Sequence, residues 1–314
     1  MSDVTDTSRL VALTGATGFV GRHILARAAA GGARVRVLAR DPARLPALPP
    51  HTEVVAGGLG DDRALADLVE GAAAVIHCAG AVRGATRAQF DRVNVAGAKA
   101  CADAAASAGV GRFLHVSSLA AREPTLSHYA ASKRAGEEAV RDAAPIVTIV
   151  RPPAVYGPGD KEMLPLFRLM ARGYAPVFGN ADARFSMIFV TDLADAAVAW
   201  LHSDAPPATI FEPDDGRTDG HGWGDVCETV QSITGRPVRP LRIPAAILAL
   251  PAAINYAAGR LTALAPMLTP GKLRELRHPD WVCRRREPGA ALGWQPAHDL
   301  RSGLLATPGW RGES

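Results

Sequence analysis

The first 150 residues alternate short β-branched runs with longer stretches in which apolar residues recur at helical spacing. Runs at 10–14, 34–39, 53–55, 74–78, 112–117 and 146–151 read as strands. Ala-rich stretches near 18–30, 62–70, 87–108 and 127–143 read as the helices between them. Strands joined by helix-length connections pair in parallel with right-handed crossovers, so the pattern predicts an α/β fold built on a doubly wound sheet. Asp41-Pro42 and Asp61-Asp62 supply helix-capping chemistry after the second and third strands. Beyond Pro152 the rhythm changes. Helices are expected near 162–172 and 191–202, and a strand at 209–212 returns to the sheet. From about 221, helices alternate with Pro-rich connectors, which predicts a smaller, mostly helical C-terminal cap.

Composition narrows the classes. A chain of 314 residues, 48% hydrophobic and 21% charged, can bury a core and is not a disordered polymer. The formal charge of +4 invites a nucleic-acid reading, but only Lys99, Lys133, Lys161 and Lys272 are lysines and the arginines are dispersed. The densest basic run, Arg284-Arg285-Arg286, has no aromatic ladder for stacking bases, so no nucleic-acid partner is expected. Cys78, Cys101, Cys227 and Cys283 are far apart and lack ligand spacing, which argues against a disulfide framework or a metal site. The opening MSDVTDTS is not a secretory signal. The longest uncharged run, 243–259, contains Pro244 and Pro251 and is shorter than the roughly 20 residues a membrane span needs. A cytoplasmic location is expected.

The first strand runs into GATGFVG, with glycines at 15, 18 and 21. Gly15 would permit the tight turn, Gly18 would let a pyrophosphate approach the backbone, and Gly21 would let helix and strand pack closely. The helix N-terminus would then meet the phosphates, with Thr17, Phe19 and Val20 around it. This placement predicts dinucleotide binding by residues 1–155, with 184–212 returning to that domain. Residues 156–183 and 213–314 are left to form a substrate-binding cap. At the end of the second strand, Arg40 would pair with a 2′-phosphate, which favours NADP(H) over NAD(H). The alternative is that Arg40 is merely solvated and Asp41 takes the ribose.

Tyr129 and Lys133 stand four apart on a predicted helix, one turn from each other on one face. With four tyrosines and four lysines in the chain, chance gives this spacing about 0.05 times. A lysine cation beside a phenol would favour the phenolate and bring its pKa toward neutrality, making an acid–base pair.

These motifs, together with HCAG at 77–80, Asn94-Val95, the serines 117–118, YAASK at 129–133, RPPAVYGPGD at 151–160 and RFSMIFVTDLADA at 184–196, resemble the short-chain dehydrogenase/reductase superfamily. The branch is the extended one, with its NAD-dependent epimerases/dehydratases and 3β-hydroxysteroid-type dehydrogenases. The resemblance covers about 10–200, and more loosely LGWQP at 292–296. It implies a Rossmann sheet and a nicotinamide cofactor. It also implies Ser118 as the hydroxyl that polarises the substrate, Tyr129 as acid/base, Lys133 on the ribose and phenolate, and Asn94 as a supporting residue. Ser117 is the rival of Ser118, but strand alternation turns it the other way. Ala79 and Gly80 would leave room for the cofactor, and Leu59, Pro152 and Val155 would flank it. Tyr156 and Arg184 are candidate substrate contacts. Two departures stand out. Gly58 replaces an acidic residue that usually holds adenine, and only 11 residues separate Ser118 from Tyr129. The short loop is expected to leave the mouth of the site open to a bulky substrate.

The stretch IPAAILALPAAINYAAG at 243–259, with LTALAPMLTPG after Arg260, is either a buried cap helix or an apolar wall for a lipid-like ketone with peripheral membrane contact. The implied activity is NADP(H)-dependent reduction of a hydrophobic lipid or steroid ketone, or oxidation of the alcohol, with a 3-keto sphingoid or ceramide-type lipid as the particular substrate expected. Two alternatives remain. A nucleotide-sugar epimerase/dehydratase would need cations such as Arg184 for a diphosphate. A non-catalytic NADP(H)-binding structural or sensor protein would need no Ser118–Tyr129–Lys133 set. The Ala-rich faces of 87–108 and 127–143 are candidates for a homodimer interface.

Overall fold

A computed structural model describes residues 9–311 apart from 46, 145, 204–208, 245–246, 248, 251, 253 and 257–267. Seven strands form one parallel sheet: β1 (Leu10–Thr14), β2 (Arg34–Ala39), β3 (Thr52–Ala56), β4 (Ala74–His77), β5 (Phe113–Val116), β6 (Val147–Val150) and β11 (Ile210–Phe211). Their order is β11-β6-β5-β4-β1-β2-β3, so chain direction across the sheet reverses between β1 and β4. Ligands of open α/β sheets bind in the crevice at that switch point, outside the carboxyl ends of the strands.

The strands read as near-continuous apolar runs because helices bury them on both faces. On one face α1 (Phe19–Ala30) and α7 (Val190–His202) pack Ile24, Leu25, Leu193 and Trp200 against Val11, Leu13 and Ile76. On the other, α2 (Asp62–Val69), α4 (Ala98–Ser107) and α5 (His128–Ala143) pack Leu65, Leu68, Cys101 and Val140 against Val75, Phe113 and Ile149. As the sequence predicts, Asp41 and Asp61 are caps, accepting from the N–H groups of Ala43 (3.2 Å) and Ala64 (3.1 Å). The stretch read as one helix at 87–108 is interrupted. Between α3 (Arg87–Asp91) and α4 the residues Arg92–Gly97 form a π-helical turn, a feature often found at functional sites.

Past Pro152 the chain adds three small sheets to the expected helices. The pairs are β7 (Ala154–Tyr156) with β10 (Met187–Phe189), and β8 (Tyr174–Phe178) with β13 (Arg239–Ile243). In the third sheet β9 (Arg184–Phe185) lies between β12 (His221–Gly222) and β14 (Asp280–Trp281). Here Tyr156, Phe167, Met187, Val226 and Leu304 form a separate apolar core. The segment 261–267 of LTALAPMLTPG lies outside the described residues. Among the described residues no helix is long and apolar enough to cross a membrane.

Candidate active site

At the end of β1 the chain turns through Gly15 at φ +79, where a Cβ would lie 2.6 Å from the Ala79 nitrogen at the end of β4. A Cβ at Gly21 would lie 2.1 Å from the Gly15 carbonyl oxygen, so α1 approaches the turn as only glycine allows. Gly18 bonds back to Gly15 (N to O, 2.9 Å) and begins α1 in extended conformation, giving the helix no side-chain cap and no acidic first turn. Thr17 and Gly18 are exposed, and Phe19 and Val20 half-buried beside them. An uncapped helix start behind a side-chain-free turn suits a pyrophosphate. Arg40 is exposed at the end of β2, and a Cβ at Gly58 would lie 3.5 Å from its Cγ. The glycine that replaces the usual acid therefore lies beneath the arginine stem. Leu59 packs on Gly97, where a Cβ would come within 2.8 Å of its Cδ1. The residues present fit a nicotinamide dinucleotide laid from α1 across the ends of β1 and β4.

The other half of the site is built by α5. Ser127 caps it, accepting from the Ala130 N–H at 2.9 Å, and Tyr129, Lys133 and Glu137 follow at intervals of four. Each reaches a different group at the end of β5. Tyr129 is hydrogen-bonded to the Ser118 hydroxyl. Lys133, 5% exposed, donates from Nζ to the Val116 carbonyl at 2.8 Å. Glu137 accepts from Ser117 Oγ at 2.6 Å. The two serines thus face apart, with Ser118 toward the phenol. Gly80 lies alongside, where a Cβ would be 3.4 Å from Asn94 Oδ1 and 3.6 Å from Lys133 Nζ. Asn94, buried in the π-helical turn, bonds both backbone groups of Ala81 (2.7 and 3.0 Å) and donates to Ser132 Oγ (2.9 Å). Pro152 is buried, and its carbonyl accepts from Leu119 N at 2.9 Å, holding the turn after Ser118. Val155 is half-buried in β7.

Burial pushes Tyr129 up to about 12; the Ser118 hydrogen bond opposes this and Glu275 adds to it. The expected lowering by Lys133 is thus not what governs this phenol. The ammonium is committed to the Val116 carbonyl, and burial pulls its own pKa down to about 8.

A cavity of about 230 Å³ opens on Tyr129. Its wall is apolar at Val82, Ala85, Phe90 and Pro270, and polar or charged at Ser127, His128, Lys272, Arg274 and Glu275. Two candidate substrate residues do not reach it. Tyr156 is fully buried at the edge of the second core, between Phe167 and Phe189, and its hydroxyl donates to the Asp299 carbonyl at 3.3 Å. Arg184 is engaged by the Asp225 carboxylate (3.1 Å) and the carbonyls of Asp219 and Gly220, joining β9 to the start of α8 (Trp223–Thr234). The short loop after Ser118 does not stand bare. The helix Pro270–Arg277 and the residues after it cover that loop: Arg274 Nε donates to the Leu126 carbonyl (2.7 Å) and Arg122 to that of Val282 (2.7 Å). The same helix brings in Glu275, which no local pattern in the sequence marks. Of the 243–259 stretch, Ala252 is buried and Tyr256 lines the cavity, whereas Ile247, Leu250 and Ile254 are 64%, 67% and 58% exposed.

A parallel sheet with this crevice, glycine turn and Ser–Tyr–Lys arrangement defines a dinucleotide-dependent enzyme of the short-chain dehydrogenase/reductase type. Residues 11–211 match the model of the NAD dependent epimerase/dehydratase family, and the chain belongs to that family. It is 46% identical over 279 residues to a ceramide reductase of Caulobacter vibrioides, a match covering 88% of this chain and 87% of that protein. It is 28% identical to a 3 beta-hydroxysteroid dehydrogenase/Delta 5-->4-isomerase of Mycobacterium tuberculosis, over 68% and 70% of the two chains. The fold is that of the Bordetella bronchiseptica enzyme WbmG, solved with NAD and UDP, at a TM-score of 0.72 and 19% identity over 96% and 94% of the chains.

Proposed function

We propose that this protein is an NADP(H)-dependent reductase of a long-chain lipid ketone of the ceramide type. The observation that carries the reading is the Ser118–Tyr129–Lys133 arrangement, whose Tyr129 lines a cavity with an apolar side at Val82, Ala85 and Phe90, in a chain 46% identical to a ceramide reductase. Gly15, Gly18 and Gly21 would hold the pyrophosphate, Arg40 the 2′-phosphate, and Gly80 and Lys133 the nicotinamide ribose. What bound NADPH supplies there is a hydride for the carbonyl carbon. Ser118 donates a hydrogen bond to the ketone oxygen, keeping its own proton, and so orients the carbonyl. Tyr129 gives that oxygen its proton, and the product is the secondary alcohol. A phenol that burial holds near 12 stays protonated at neutral pH, which suits the acid needed for reduction. Lys133, held by Val116, fixes the polar end of the site beneath the ribose.

The cations that the sequence offered a nucleotide-sugar diphosphate are engaged elsewhere, and Lys272 and Arg274 on the cavity wall bond Glu275 and the Leu126 carbonyl. Arg184 is engaged by Asp225, Arg284 by Asp280 and Arg286 by Asp214. The exposed Ile247, Leu250 and Ile254 support peripheral contact with a membrane, the source of such a lipid. Co-sedimentation with phosphatidylglycerol vesicles, lost in an Ile247→Glu/Leu250→Glu variant, tests that contact, and light scattering tests the homodimer.

The main experiment follows NADPH oxidation with an N-acyl-3-ketosphinganine. Stoichiometric consumption, absent in Tyr129→Phe although NADPH still binds, is expected. Turnover of UDP-glucose without net NADPH consumption would instead identify an epimerase, and NADPH binding without any turnover a structural protein. In Arg40→Ala the KM for NADPH rises about tenfold while that for NADH does not; an unchanged preference refutes Arg40's role.

A further inference from the structure

The wall of the cavity that Tyr129 lines carries a carboxylate to which the reduction assigns no hydrogen bond. Glu275 is 5% exposed, comes from the helix Pro270–Arg277, and shares the wall with Tyr256 and Pro270 on one side and Lys272 and Arg274 on the other. Its carboxylate accepts from Ser127 Oγ on one oxygen and from Lys272 Nζ, at 3.0 Å, on the other. An ionised carboxylate has about four acceptor positions, so these two partners leave lone pairs free on the cavity wall. Burying such a group is costly unless those positions find donors.

The placement of Glu275 is fixed from several sides. Thr269 caps its helix through the Lys272 N–H at 3.2 Å. The Glu275 carbonyl is held by Trp281 Nε1 at 2.9 Å and by the His278 N–H at 3.1 Å. Where the helix meets α5 it presents Gly271, at which a Cβ would lie 2.8 Å from that of Ser127. No larger residue fits at that contact, which sets the carboxylate against the residue that caps the catalytic helix two positions before Tyr129.

We infer that Glu275, backed by Ser127, accepts a hydrogen bond from a hydroxyl or amide N–H group next to the ketone, and so selects carbonyl lipids that carry such a donor over plain long-chain ketones. The inference rests on the reductase reading of the same site and names which ketones it takes. A site built to bond a donor rejects the analogue that lacks it far more strongly than an apolar wall rejects a missing methylene. Glu275 is a specificity residue whose charge also acts on the Tyr129 phenol, an effect common to both probes that leaves their ratio to report the hydrogen bond.

The test compares two probes, an N-acyl-3-ketosphinganine and its 1-deoxy, N-methyl counterpart, which keeps the ketone and chains but has no donor. Wild type is expected to prefer the first by about tenfold to a hundredfold in kcat/KM, mainly through KM. That ratio falls at least fivefold in Glu275→Gln and approaches one in Glu275→Leu. A wild-type ratio near one overturns the inference. So does an equal loss on both probes in the two variants, because that is the signature of a carboxylate that only ties the cap helix to Ser127. If wild type reduces neither probe, the reductase reading fails separately. Tryptophan quenching by the corresponding ceramide and its 1-deoxy, N-methyl analogue then gives the same ratio without turnover. A binding ratio that Glu275→Gln leaves unaltered overturns the inference there too.

Discussion

Arg151 stands at the junction of the two halves of the molecule, and Arg151→Met isolates what that junction contributes. Its guanidinium donates to both oxygens of Glu137 on α5, at 2.8 and 2.6 Å, and lies 3.7 Å from Glu212 just past β11. All three side chains are buried. The bidentate hydrogen bonds to Glu137 outweigh the burial of the cation, and the Arg151 pKa rises above its ordinary value. Removing the cation leaves Glu137 the Ser117 hydroxyl and the field of the Lys133 ammonium one turn away. Glu212 still accepts from the backbone N–H groups of Arg284 (2.8 Å) and Arg285 (3.3 Å). An uncompensated buried charge costs about 3–5 kcal/mol. At about 2.1 cal/mol/K of unfolding entropy per residue, this chain should lose about 5–8 °C in Tm.

The double variant Glu137→Leu/Arg151→Met removes the stranded charge together with its partner. It should recover to within about 1–2 kcal/mol of wild type, the remainder being chiefly the Ser117 hydroxyl left without its acceptor. Urea unfolding at pH 7.5 of the wild type, both single variants and the double variant measures the cycle. A loss below about 1 kcal/mol in Arg151→Met, or a double variant as poor as the sum of the singles, refutes the account.

Gly136→Ala should cost about 2–3 kcal/mol and most of the turnover. Its Cβ would lie 2.1 Å from the Asn94 carbonyl oxygen, whereas Gly60→Ala, with open space around it, should be neutral in the same urea titrations. Lys133→Met should abolish reduction yet stabilise the protein by about 1–2 kcal/mol at pH 7. The folded pKa near 8 lies below the ordinary value of 10.5, so the unfolded chain binds more protons between the two. Wild-type stability therefore rises from about pH 8 to 10.5, and calorimetry should show that rise flattened in the variant. His77 and His115 stack at 5.4 Å in the buried sheet, and burial lowers both, His77 to about 3. As the unfolded chain protonates first, stability falls as pH drops through 6.5. His115→Phe, which removes ring nitrogens that have no hydrogen-bond partner, should flatten that fall, and equal acid midpoints for variant and wild type refute it.

The sheet was legible because parallel strands buried on both faces announce themselves as unbroken β-branched runs, and β1 and β2 fall on the residues the sequence marks. Gly15 and Gly21 were legible for a related reason, since a backbone that must approach another backbone admits no other residue. The small sheets beyond Pro152 were not, because strands of two to five residues paired across long stretches of chain leave no period to read. The π-helical turn escaped notice because its cause lies elsewhere: the Asn94 side chain turns to Ala81 and Ser132 while its carbonyl meets Gly136 of α5. Tyr156 and Arg184 sit in the right segments, but tertiary packing turned one into the core and tied the other to Asp225. Glu275 meets Ser127 across 148 positions, and no spacing rule reaches that far.

The short stretch between Ser118 and Tyr129 and the cap helix are two sides of one solution. With so few residues the loop can form little more than the turn Leu119–Arg122, which Pro152 holds through Leu119. A loop that short cannot fold over the substrate itself. The space above it is filled by the segment 270–282, docked through Gly271 on Ser127, Arg274 on Leu126, and Arg122 on Asp280 and Val282. The wall facing Tyr129 is therefore supplied by a segment distant in sequence, while α5 holds Tyr129, Lys133 and Glu137 against the end of β5 one turn at a time. Such a division lets the chemistry stay fixed on α5 while the recognising residues change on another element. Among chains with this short loop, substrate choice should then follow the residue at the position of Glu275 more closely than any residue of the Ser118–Tyr129 segment. Exchanging 270–277 between two such enzymes should move specificity with the helix and leave the effect of Tyr129→Phe the same in both; specificity that stays with the α5 parent would show that the wall does not choose the substrate.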